Sequence, residues 1–332
     1  MNPKKSDYAI VLSCNPGYGF GMISTMNAMK YFGTDADWEV AYEGYTEDER
    51  TKISNAFPFN VNWTPVSELM SSVVDKRTTN KSPLNRMWLS YWLLPLKLLR
   101  EKKYKAVCVI QADCFVFVNL DVYFKMAESG TIVSAEHAFA WMHVKDIEFG
   151  NDKSIWDRCM CPIFDNINFF GSEYIDLIDD IIKFQCEDPF KGEASHSVIA
   201  LNRAVAKHGK KDKILGLDRN LWTCDHIWPT TRLRIGGKEN EQVYNSLNIP
   251  LSAWHCRWWQ KGRVLGEWRN NKDTILNNLN NKEHMSNVNN CEYNYNLVKS
   301  FMEKFNAMTP EVASGEYQHG SIARPKWEEG EE

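Results

Sequence analysis

The chain has 332 residues, 43% hydrophobic and 25% charged, with a formal net charge of -4. It reads as a soluble globular protein with room for one large α/β domain or two smaller ones. The slight overall acidity argues against indiscriminate binding to nucleic acid.

Tyr8-Ala-Ile-Val-Leu-Ser is a short β-rich run that leads into Cys14-Asn-Pro-Gly-Tyr-Gly-Phe-Gly21, and a helical pattern follows from Met22 to Phe32. Strand, glycine-rich turn and helix open an α/β sheet. The glycines would let the backbone approach a ligand at the strand's carboxyl end, although the spacing is neither G-x-G-x-x-G nor a P-loop. A simple tight turn reads equally well.

Trp38–Tyr42 is the second expected strand, and Thr46-Glu-Asp-Glu starts a helix with acids in its first turn. The string Asp35-Ala-Asp37 spells D-x-D, but it precedes a strand rather than following one, and reads as a turn. Phe59–Thr64 is the third strand. A Leu- and Trp-rich helix runs from Asn85 to Lys103, with Pro95 as a kink or break. Its apolar part, Met87–Leu99, is too short to span a bilayer.

Ala106–Ile110 is continuous and apolar, as in a central parallel strand. Asp113 lies three residues beyond it, where the sheet's carboxyl edge should open into a crevice. A carboxylate there can hold a divalent cation against a diphosphate; the structural alternative is the cap of a turn. Strands are expected at Thr131–Ala135 and Ile163–Phe170, and helices at Ser172–Gln185 and Ser195–Lys207.

Beyond these the chain reads as irregular and Trp-rich up to Trp268. Trp254-His-Cys-Arg-Trp-Trp-Gln-Lys-Gly-Arg263 offers one imidazole with cations two to eight residues on, so it could supply a metal ligand and several phosphate contacts. A buried aromatic corner is the alternative. From Leu201 to Asn270, 13 Lys and Arg stand against 6 Asp and Glu. That excess is either a solvated basic face or a surface meeting a phosphorylated ligand.

Residues 1–269 read as one domain, 270–308 as an Asn-rich extension with a last helix at Asn296–Met308, and 309–332 as a flexible tail. Nine irregularly spaced cysteines, and no signal-peptide h-region behind the first seven residues, predict reduced thiols and a cytoplasmic setting. The Cys/His pairs lack the paired C-x-x-C spacing of a structural zinc site.

Taken together, five landmarks resemble the GT-A nucleotide-sugar glycosyltransferases, in particular the retaining family of glycogenin and the bacterial lipopolysaccharide glucosyl- and galactosyltransferases. Asn15, Tyr18 and Gly21 match an N-x-x-Y-x-x-G stretch, and Arg86 matches an Arg in the helix before the central strand. Gln111-Ala-Asp113 stands where the family has its D-x-D metal motif. Asn166-Ile-Asn-Phe-Phe is similar to a later N-A-G-V-like strand, and His255 with Lys261 echoes the closing H-x-x-G-x-x-K element. The landmarks cover residues 8 to 268 in the family's order.

The resemblance implies a GT-A, Rossmann-like, mainly parallel sheet flanked by helices. It implies transfer of a sugar, with retention, from a nucleoside-diphosphate donor such as a UDP-sugar to an acceptor hydroxyl. Mn²⁺ or Mg²⁺ would sit on Asp113 and His255. Asn15 and Tyr18 would hold the nucleoside, with Gly21 in the same stretch. Arg86, Gln111, Lys261 and Arg263, with Arg257, would face phosphate or sugar, and Asn166 and Asn168 the donor sugar. Asp165 and Asp225 are the candidate bases.

Three departures stand out. Gln111 replaces the first D-x-D acid, Trp258 replaces the Gly of the closing motif, and the usual D-Q pair before Leu201-Asn202 is missing, with Glu193 or His196 near that place. The implied acceptor is a saccharide or glycolipid. A hydroxylated base in viral DNA is an alternative, supported by the local basic excess. A non-catalytic nucleotide-sugar binder is the alternative of another class, supported by Gln111.

Overall fold

A computed structural model describes residues 5–15, 19–71, 83–112, 114–136, 164–187, 196–222, 234–238, 242–244, 248–255 and 297. The elements expected over 296–308 therefore lie outside the described residues, apart from Leu297.

The first half of the chain alternates strands and helices. These are β1 (Tyr8–Cys14), α1 (Gly19–Phe32), β2 (Asp37–Tyr42), α2 (Glu47–Asn55), β3 (Val61–Pro65), α3 (Val66–Ser71), α4 (Pro83–Arg100) and β4 (Ala106–Ile110). There follow β5 (Cys114–Val116), α5 (Asp121–Glu128), β6 (Ile132–Glu136), β7 (Phe164–Gly171), α6 (Ile175–Glu187), α7 (His196–His208) and β8 (Ile214–Leu217). The short elements α8 (Arg219–Trp222), β9 (Arg234–Gly236), β10 (Gln242–Tyr244) and β11 (Ala253–His255) come last.

Seven strands form one mixed sheet in the order β3-β2-β1-β4-β7-β6-β8. Parallel pairing of β1 with β2 and β4, and of β2 with β3, follows from the intervening helices, which carry the chain back over the sheet. β7 runs antiparallel to both β4 and β6, so the central strand β4 has one parallel and one antiparallel neighbour rather than two parallel ones. The order reverses beside β1, which places a crevice at the carboxyl ends of β1 and β4.

Every residue of β4 is fully buried, because both sheet faces are covered. Ala9, Val11, Val107, Val109 and Phe170 pack with α4, α6 and α7. The alternate residues Ile10, Leu12, Cys108, Ile110, Ile167 and Phe169 pack with α1 and α5. Helix α4 continues through Pro95 without a break. A helix-interior proline costs about 3 kcal/mol, and burial of Trp92, Leu94 and Leu99 at about 1.5–3 kcal/mol each offsets it.

The structure corrects several sequence expectations. Helix α1 starts at Gly19, so Gly21 belongs to its first turn, not to the loop before it. The helix ends on Gly33, whose φ of 74° suits a residue without Cβ. The region after α7 is less irregular than expected, since β8 pairs in parallel with β6 and extends the main sheet.

Asp37 is not a turn residue. It opens β2 and is 2% exposed, with Glu39 at 1% on the same side of the strand. Asn60 Nδ2 donates to Asp37 Oδ1 (2.9 Å) and Asn62 Nδ2 to Glu39 Oε1 (3.0 Å). Lys103 Nζ also donates to Glu39 (2.6 Å), and Tyr104 Oη lies 2.7 Å from Glu39 and 3.1 Å from Asp37. Burial, and then the carboxylates beside it, push the Tyr104 phenol well above its ordinary range. These acids stand at the amino end of β2, away from the crevice.

Candidate active site

At the carboxyl end of β1, Asn15 follows the last strand residue. Its carbonyl accepts from Tyr45 Oη (3.1 Å) and from Cys14 Sγ (3.2 Å), which fixes the backbone. Among the described residues its buried side-chain Oδ1 has no hydrogen-bond partner. A buried amide oxygen left unpaired costs roughly 1–3 kcal/mol, so the position suits an incoming donor.

The segment after β2 crosses in front of this point. Glu43 N donates to Cys14 O (3.3 Å), and three residues later Thr46 starts α2 with a capping box. Thr46 Oγ1 accepts from Glu49 N (3.3 Å), and Glu49 Oε2 accepts from Thr46 N (2.7 Å). The box thus holds the loop that carries Glu43 and Tyr45.

Helix α4 brings Arg86 to the same edge. Ser90 Oγ donates its single proton to Met87 O (2.7 Å), so the 2.9 Å contact with Ser13 Oγ must be a donation from Ser13. That bond ties the beginning of α4 to the end of β1. Arg86 Nη2 lies 3.3 Å from Glu43 Oε1.

Gln111 follows β4 directly and is half-buried, and its carbonyl accepts from Cys114 N (3.1 Å) in a tight turn. From that turn β5 starts and pairs antiparallel with β11 in the register Ala253↔Val116, Trp254↔Phe115, His255↔Cys114. Thr25 Oγ1 of α1 donates to Cys114 O (2.6 Å), and Phe115 stacks on Trp254 with ring centroids 5.7 Å apart. The remote strand Ala253–His255 is thereby fixed at the crevice, with His255 opposite the residue that follows Asp113 in the chain. Neither β5 nor β11 was expected, since each is only three residues long.

Because β7 is antiparallel, its first residues, with Asp165 and Asn166, lie at this same edge. Asn168 is one step inside: it is fully buried and its Oδ1 accepts from Ser134 Oγ. Its amide thus braces β7 against β6 in this structure. Asp113, Tyr18, Asp225, Lys261 and Arg263 lie outside the described residues, as do Arg257, Trp258 and Glu193.

The edge therefore gathers Asn15, Arg86, Gln111, the start of β7 and the strand that carries His255. Sequence reasoning missed Glu43, Tyr45 and the Ser13–Ser90 tie. A lone carboxylate just past the second strand of a βαβ unit was the available signal for Glu43. Of the described basic residues in the 201–270 segment, Lys207, Lys210 and Lys213 end α7 and precede β8, at the opposite end of the sheet, whereas Arg219 follows β8.

Among the described residues, no group of three His, Cys, Asp or Glu gathers in a way that could hold a metal. The donors the sequence offers for one are the Asp113 carboxylate, the His255 imidazole and the neutral Gln111 amide oxygen. Hard oxygen ligands with one imidazole fit a Mn²⁺-like cation, and the ladder pairs His255 with Cys114, the residue after Asp113 in the chain. The thiols nearby are poor nucleophiles: Cys14, Cys108 and Cys114 are buried, and burial pushes Cys108 well above the usual thiol range.

No protein-family model matches the sequence, and no curated protein does. Solved structures match in shape. The bifunctional glycosyltransferase WbbM aligns at 13% identity and a TM-score of 0.50, over 68% of this chain and 41% of its own length. The galactosyltransferase LgtC, in complex with donor and acceptor sugar analogues, aligns at 10% identity and a TM-score of 0.48, over 92% of this chain and 99% of its own. Mouse xyloside xylosyltransferase 1 aligns at 11% identity and a TM-score of 0.46, over 66% and 87%. This chain thus spans less than half the length of WbbM. Its mixed, mostly parallel sheet with flanking helices is the α/β fold of GT-A-like glycosyltransferases.

Proposed function

We propose that the protein is a glycosyltransferase that moves a sugar from a nucleoside-diphosphate sugar to an acceptor hydroxyl, with retention of configuration and with a divalent cation. The observation that carries this reading is the β5–β11 ladder. It brings His255, from 142 residues further along the chain, opposite the neighbour of Asp113 at the carboxyl edge of the sheet. A fold alone would not require that juxtaposition, whereas a donor site does.

In this reading Asn15 Oδ1 accepts a hydrogen bond from the nucleoside base, which answers its unpaired state. Arg86 and Lys261, with Arg263, neutralise the phosphates, and Gln111 and Asn166 face ribose or sugar. Asp113 and His255 would hold Mn²⁺ or Mg²⁺, which when bound supplies Lewis-acid stabilisation of the departing diphosphate. The sugar C1–O bond breaks with its electron pair leaving on the diphosphate. The acceptor oxygen bonds C1 and gives its proton to a base, for which Asp165 and Asp225 are the candidates. Buried apolar residues of β4 and β7 beneath the edge exclude water from one side.

The acceptor proposed is a saccharide or glycolipid. Among the described residues no helix is long and apolar enough to cross a membrane. A thermal-shift screen of nucleoside diphosphates and nucleotide-sugars, with and without Mn²⁺, tests the reading. Metal-dependent stabilisation by one base and one sugar supports it. No shift with any member removes it, and a shift without sugar transfer or hydrolysis favours a non-catalytic binder.

A further inference from the structure

Arg86 already has an anionic partner within the protein. Its guanidinium pairs with Glu43 across the crevice edge, and the two side chains are 32% and 33% exposed. Among the described residues neither has another polar side-chain partner. Each is held from its own side: Arg86 by a helix tied to β1 through Ser13 and Ser90, Glu43 by its backbone bond to Cys14 and by the capping box of α2. A part-exposed ion pair adds little to stability, so the fold itself has small use for two opposed charges at this spot.

A guanidinium fork matches two anions in the same way, carboxylate and phosphate. On the reading that this edge binds a nucleoside diphosphate, the donor and Glu43 compete for one cation. We propose that Glu43 is a positioning residue that stands in for the diphosphate: it holds Arg86 at the edge and yields it to phosphate oxygens when a donor binds. Exchange leaves the Glu43 carboxylate facing an anion. Glu43 therefore weakens binding of every phosphate ligand, and most for the ligand that carries the most negative charge.

The test is calorimetric titration with UDP, GDP, ADP, CDP and TDP and the matching monophosphates, in Mn²⁺, on the full chain. Removing one like charge about 7 Å from a diphosphate, at an effective dielectric constant of about 40, changes affinity by a factor of roughly three to ten. Glu43→Gln is therefore expected to tighten diphosphate binding by that factor and monophosphate binding by less. Glu43→Asp should restore wild-type behaviour, and in an Arg86→Gln background the Glu43→Gln gain should fall below about twofold.

Unchanged or weaker binding by Glu43→Gln overturns the inference, as does a gain that persists without Arg86. If the wild type binds a diphosphate and Arg86→Gln leaves that affinity unchanged, this inference fails while the glycosyltransferase reading stands. If the wild type binds none of the ten nucleotides, both fail. Melting curves of the variants check that each is folded.

Discussion

His255 and Cys114 face each other across a two-stranded antiparallel ladder, although 141 positions of sequence separate them. That pairing joins the turn after the central strand to β11, with Trp254 and His255, and it defines which residues can act together at the crevice.

If the ladder builds a metal site, Asp113→Ala and His255→Ala should each weaken Mn²⁺ binding by at least about tenfold, the usual scale for losing a ligand or its support. Isothermal titration of each variant measures this. Equal affinity in wild type and both variants would remove metal from the reading.

The unpaired Asn15 oxygen gives a prediction with two opposed signs. Asn15→Ala removes a buried acceptor that has no partner among the described residues, so denaturant stability should hold or rise by up to about 1 kcal/mol. Nucleotide affinity should fall about tenfold, the worth of one hydrogen bond to a buried group. A variant that loses stability and keeps affinity would show that Asn15 is structural.

The Asp35-Ala-Asp37 string should prove irrelevant to metal. Asp37→Asn disturbs a buried network with Asn60, Ser6 and Tyr104 and is expected to lower stability by about 1–3 kcal/mol. Mn²⁺ affinity should not change. Weaker Mn²⁺ binding in this variant would place the metal at the wrong end of β2.

Asp180 makes a pH prediction. Burial alone would raise its carboxyl, but hydrogen bonds from Lys207, His208 and Lys183 outweigh that and lower it from 3.8 to about 2. A folded pKa below the unfolded one contributes stability above the unfolded value and loses it as pH falls through the folded value. Relative to Asp180→Asn, the wild type should be more stable by about 2 kcal/mol at pH 7. The gap should close between about pH 4 and pH 2. Urea melts across that range measure it, and a gap independent of pH would contradict the assignment.

Much of the fold was legible because its signals are local. The apolar run Ala106–Ile110 needs both faces covered, and Thr46 with Glu49 announces a helix start. β7 was visible as a strand, but its antiparallel direction was not, since direction depends on partners and not on composition. β5 and β11 were invisible for a related reason: three-residue strands carry no period, and their pairing is made by residues far away in sequence. The expected strand therefore ends at Ile110, and no element is expected at Cys114–Val116, which forms β5.

The site was legible where motif and edge coincide, at Asn15, Arg86 and Gln111. Glu43 escaped because no motif surrounds it, and only the approach of α4 shows what it touches. Asp37 misled in the other direction: a polar string before a strand looks like a turn until the partners that bury it, Asn60 and Tyr104, arrive from other elements.

The most direct measurement is the release of nucleoside diphosphate from a panel of nucleotide-sugars by the full chain with Mn²⁺, beside Asp113→Ala. Turnover of one nucleotide-sugar that depends on the metal and falls at least about a hundredfold in the variant is the expected result. Absence of turnover across the panel with its candidate acceptors, or turnover that Asp113→Ala leaves intact, would contradict the proposed activity at this edge.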